Sequence, residues 1–128
     1  MDNSKLKELS GGAWDEDRSI HRMGGEKALI KRIAVLFLRD TPIQLAQALL
    51  GIEQMDYDLC YVPMHTLKGA SSNFCTRRLE MICSDLLIAL KDRNWNLALI
   101  MHQALTSEYH LLEEQMSVFI NDDRDEGW

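Results

Sequence analysis

Glycine and proline are scarce in this chain, seven and two of 128 residues, which argues against a turn-rich sheet protein and for long helices. Cysteine is scarce as well. Cys60, Cys75 and Cys83 are odd in number and show no C-x-x-C spacing, so neither a disulfide framework nor a zinc knuckle is expected, and the thiols read as reduced and mostly buried. No unbroken apolar run approaches the roughly 18 residues of a membrane span. The N-terminal MDNSKLKELSGG lacks the charged-then-apolar plan of a signal peptide, so a cytoplasmic protein without membrane association is expected. Positive charge is in the minority: the net charge is −6 and the pI about 5.1. Such a surface repels phosphate backbones, and no nucleic-acid partner is expected.

Hydrophobic residues make up 46% of the chain and charged residues 27%, which excludes disordered and collagen-like classes. The length fits one domain over residues 1–128, with a core at about 20–120 and an acidic, solvated tail, NDDRDEGW, at 121–128.

The glycines and the polar cluster KDRN (91–94) cut the chain into helical pieces. WDEDRSIHRM (14–23) carries acids in its first turn and glycine just beyond, and reads as a short first helix. From Glu26 to Leu50, the residues Leu29, Ile33, Leu36, Phe37, Ile43 and Leu50 recur at helical spacing, with Gly51 as the stop. Pro42 is expected to kink this helix rather than split it. A third helix runs from Tyr57, capped by Asp56, to about Phe74. A fourth, Arg77 to Leu90, sets Leu79, Cys83, Leu86 and Leu90 on one seam. The fifth runs from Trp95 to about Ile120, with Leu97, Met101, Ala104, Leu105, Leu112, Met116 and Phe119 along one side. Amphipathic helices joined by short turns bury their stripes most economically in an all-α, antiparallel up-down-up-down four-helix bundle, with the short N-terminal helix packed against it.

The third helix holds an anomaly, MHTLKGASS at 64–72: a glycine four residues after a histidine. On a wheel at 100° per residue, Cys60, Met64, Leu67, Ser71 and Phe74 fall within roughly 40° of one direction, the core face. His65 lies roughly 140° away, and Lys68, Gly69 and Ser72 share its side. Helical side chains lean toward the N-terminus, so a side chain at 69 would stand over the His65 imidazole. Glycine costs about 0.5 to 1 kcal/mol of helix stability relative to alanine, a loss that leaves one imidazole face open to something bulky. Lys68, Arg77 and Arg78, with no acid between 65 and 78, form a cationic patch suited to an anion carried by an acidic partner.

The run HTLKGASSNF, His65 to Phe74, resembles the signature of histidine-containing phosphotransfer (HPt) domains, H-x-L-K-G-[SA] on an exposed bundle helix. EKALIKRIAVLFLRDTPIQLAQAL is similar to the helix that precedes the signature in bacterial members, and LEMICSDLLIAL to the helix that follows. The likeness spans about residues 20 to 120. It implies that His65 accepts and donates a phosphoryl group, that Lys68 stabilises the phosphate and that Gly69 gives the partner access. It also implies receiver domains of response regulators as partners, with a hybrid sensor kinase upstream. The receiver supplies Mg²⁺, and the relay chain binds no cofactor or metal of its own. Tyr61, Val62 and Ser72 are candidates for docking, and a monomer is expected. Two departures stand out: Cys75-Thr76 replaces the Gly-Ala that often follows Phe74, and Pro63 lies two residues before His65.

Two other functions compete. An autophosphorylating kinase fragment would also expose a helical histidine, but it needs a nucleotide-binding domain, and no Gly-rich loop is present. A non-catalytic helical adaptor would keep the bundle without the transfer. His21, His102 and His110 read as ordinary surface or edge histidines, with no E-x-x-H pair to suggest a metal.

Overall fold

The computed structural model describes residues 12–122. They form five α-helices and, among the described residues, no strand: α1 (Glu16–Arg22), α2 (Lys27–Gln54), α3 (Tyr57–Ser72), α4 (Arg77–Lys91) and α5 (Trp95–Ile120). The acidic tail expected at 121–128 lies almost wholly outside the described residues.

Three helices begin with a side-chain cap of the kind their sequences offer. Asp15, Asp56 and Asn94 accept hydrogen bonds from the backbone N–H groups of Arg18, Leu59 and Leu97. Packing closes a ring: α2 lies against α3 and α5, and α4 lies against the same two helices. Trp14 pins the segment before α1. Its ring packs edge-on against Phe74 and Phe119, and its backbone N–H donates to Gln115 Oε1 at 2.7 Å.

Helix α2 departs from the sequence reading in two ways. It does not stop at Gly51 but continues to Gln54, with Met55 in the left-handed conformation (φ 53°) as its cap. Gly51 is instead the point of closest approach to α3. A Cβ there would lie 2.5 Å from Cys60 Sγ and 2.9 Å from the Cys60 backbone N, so only glycine fits. The expected apolar stripe is only partly borne out: Phe37 is buried and Ile33 packs against the core, but its other four members face outward. Leu29, Leu36, Ile43 and Leu50 are 42%, 46%, 55% and 46% exposed. The buried face consists of Ile30, Ala34, Phe37, Thr41, Leu45, Ala48 and Ile52, roughly 150° around the helix. Small residues on that face let the neighbouring helices come close, so the core stripe is the less greasy of the two.

On α5 the expected stripe largely holds, with Leu105, Leu112, Met116 and Phe119 buried and Met101 packed against the core; Leu97 is exposed instead, and Ala98, His102 and Tyr109 are buried beside the stripe. His102 is thus no edge residue: its Nε2 donates to the Leu45 carbonyl at 2.8 Å inside the core.

α2 runs unbroken through Pro42. A proline at 42 cannot donate to the carbonyl of Leu38, and the Tyr109 hydroxyl of α5 donates to that carbonyl instead, at 2.9 Å. Residues 27–53 also satisfy the length and composition of a membrane-crossing helix, with a mean hydropathy of 1.3, although no unbroken apolar run announces it; 28% of that window is buried in the fold.

Candidate functional site

Helix α3 turns Cys60, Met64, Leu67 and Ser71 into the core, all fully buried, as the wheel predicts. That register fixes the other side. His65, Lys68 and Gly69 are exposed, while Tyr61 and Ser72 are half-buried. Val62 is an exposed hydrophobic residue on this helix, at 63% exposure.

His65 does not stand alone. The Tyr61 ring lies one turn below, stacked at a centroid distance of 5.4 Å with 9° between the planes. Tyr57 stacks in turn on Tyr61 at 5.3 Å and 22°, and the Arg93 guanidinium caps the Tyr57 ring at 4.0 Å. Positions 57, 61, 65 and 69 therefore form one row, three rings and then a glycine. Among the described residues, a Cβ built on Gly69 would meet nothing within 4 Å. No described neighbour asks for glycine there, and its φ is not of the left-handed kind that would. The row was visible in the sequence as aromatic residues at i, i+4 and i+8, and the sequence reading took only its last two members.

Lys68 and Ser72 do not face the ring row alone; they line an open cleft of about 1000 Å³ between α1 and α4, together with Arg22, Arg77 and Glu80. Ser72 Oγ is engaged, donating to the Gly69 carbonyl at 2.8 Å. Burial pushes the Glu80 carboxyl above its usual range, and the nearby Arg22, Arg77 and Lys68 partly offset this.

The cationic patch expected from residues 68, 77 and 78 is therefore corrected. Arg78 turns away to pair with the buried Glu108 of α5 at 2.6 Å, and Glu80 sits close enough to Arg77 and Lys68 for their charges to act on it. The sequence window ended two residues before Glu80, and Glu108 lies 30 residues from Arg78, so neither acid could enter the count.

The end of α3 accounts for the Cys75-Thr76 departure. Cys75 adopts φ 51°, the left-handed conformation that glycine takes most easily. Thr76 is buried and donates from Oγ1 to the Ser71 carbonyl at 2.9 Å. The helix ends at Ser72, two residues before Phe74, which tucks into the core against Phe37 at 5.1 Å. α3 also passes through Pro63 without a break.

The other thiols are chemically quiet. Burial pushes Cys60 up to about 11 and Cys83 up to about 12, so both stay protonated at neutral pH.

Comparison with protein-family models, with curated proteins and with solved structures finds no match to this chain.

Proposed function

We propose that this protein is a phosphorelay intermediate of the HPt type, in which His65 takes a phosphoryl group from an aspartyl phosphate on a receiver domain and passes it to another receiver. The observation that carries this reading is the exposed His65 imidazole beside a glycine that the fold itself does not require. Space that no internal contact explains is space for a partner. In this reading the four long helices form an antiparallel up-down-up-down bundle, an arrangement supported by the ring of contacts and the short connections between helices.

The chemistry asks little of the chain. Phosphoryl transfer needs an in-line nucleophile and positive charge near the transferring oxygens. In the uncharged imidazole one nitrogen carries the proton and the other a lone pair in the ring plane. That lone pair forms the N–P bond as the P–O bond to aspartate breaks, and the carboxylate leaves with the electron pair. The family resemblance makes Nε2 the attacking atom. Lys68 supplies positive charge near the incoming phosphoryl group, the receiver supplies Mg²⁺, and Val62 offers apolar contact at the rim. Reversal of the same step delivers the phosphoryl group onward.

Incubation with a phosphorylated receiver and Mg²⁺ is expected to place acid-labile, base-stable phosphate on the protein, and His65→Gln is expected to abolish it. Equal labelling of the variant would end the proposal, and absence of label from both proteins would favour the adaptor reading.

A further inference from the structure

We infer that Tyr61 is a positioning residue for His65: it holds the imidazole plane so that the attacking nitrogen points at an incoming phosphorus. This rests on the relay reading and deepens it. The two rings lie nearly parallel, 9° apart, with centroids 5.4 Å apart, an offset-stacked geometry. A nitrogen lone pair lies in the plane of its ring, so fixing that plane confines the direction of attack to it. An exposed histidine side chain would otherwise sample several rotamers, each aiming the lone pair elsewhere.

The stack is braced from below. Tyr57 supports Tyr61, and the Arg93 guanidinium, from the turn between α4 and α5, lies over the Tyr57 ring. A cation on the end of an aromatic row is favourable in itself, and it ties the row to a second part of the fold. The row covers one imidazole face and Gly69 leaves the other open. Tyr61 thus acts from within, as support for the nucleophile, although its place in the sequence suggested a docking contact.

The test compares wild type, Tyr61→Phe and Tyr61→Leu in single-turnover transfer from a phosphorylated receiver, over a range of receiver concentrations. The His65 ring-proton shifts of the unphosphorylated proteins are recorded by NMR, and phosphoramidate serves as a small donor that needs no docking. In wild type and Tyr61→Phe the His65 ring protons are expected to show the ring-current shift of a stacked neighbour, and Tyr61→Leu to lose it. The saturating transfer rate of Tyr61→Leu is expected to fall roughly tenfold, because a misdirected nucleophile costs rate rather than affinity. Its half-saturating receiver concentration and its labelling by phosphoramidate are expected to stay at wild-type values. Unchanged His65 shifts in Tyr61→Leu would overturn the inference, as would an unchanged saturating rate. A raised half-saturating concentration at full rate would assign Tyr61 to docking and overturn it as well. If wild type accepts phosphate from phosphoramidate but from no receiver, the relay reading itself fails and takes this role with it, while the ring shift still reports whether the stack exists.

Discussion

Glycine in the middle of a helix needs a reason, and the two in this bundle have opposite ones. Gly51 is required by the fold, because a side chain there would collide with the α3 backbone at Cys60. Gly69 is required by none of the described residues, since a Cβ there meets open space among them. Gly69→Ala is therefore expected to raise stability by about 0.5 to 1 kcal/mol, read in urea unfolding, because alanine limits the unfolded chain and favours helix. Gly69→Leu should fold equally well and slow transfer from a receiver, since the longer side chain leans over the imidazole. A loss of stability in Gly69→Ala would show that the glycine serves the fold after all.

At the scale of the element, α2 shows how a heptad can mislead. Leu29, Leu36, Ile43 and Leu50 repeat every seven residues and yet face outward, while the inward face mixes Ile30, Phe37, Leu45 and Ile52 with Ala34, Thr41 and Ala48. Hydrophobic periodicity finds both stripes and cannot rank them, because the close helix contacts that favour alanine and threonine are a property of the neighbours. The adjacent pair Leu36 and Phe37 separates the two faces. Phe37→Ala, which empties the contact with Phe74, is expected to cost about 3 to 5 kcal/mol. Leu36→Lys should stay within about 0.5 kcal/mol of wild type. Chemical denaturation of both variants checks this, and equal costs would mean that the register of α2 is wrong.

Glu80 belongs to the scale of the whole molecule, because the cations acting on it come from three helices: Arg22 of α1, Lys68 of α3 and Arg77 of α4. Burial outweighs them and raises the carboxyl above its ordinary 4.5. The folded protein therefore holds this proton more tightly than the unfolded chain does. Its contribution to stability is full below the ordinary value and is lost as pH rises through the raised one. Glu80→Gln is expected to remove that part of the pH dependence, so the stability gap between variant and wild type should grow in the variant's favour from acid pH toward neutrality. Unfolding curves over that range decide it; a gap that narrows with pH would mean that the three cations dominate. The opposite design holds for Arg78 and Glu108, where a partly buried pair at 2.6 Å fixes α4 to α5. Removing Arg78 takes this partner away from the buried Glu108 carboxylate.

The sequence by itself determined the helices, the Asp56 cap and the core face of α3, because these follow from spacing and short-range hydrogen bonding. It also determined that His65 and Gly69 share the exposed side of α3, since a helix wheel needs no neighbours. Tertiary structure alone decided which stripe of α2 is buried, that Gly51 is a crossing point and not a stop, and that Arg78 answers to Glu108. It likewise decided that the carbonyl left unpaired by Pro42 would be met by Tyr109, 67 residues later in the chain. Each of these depends on which surfaces meet, and only the packing of one helix against another settles that.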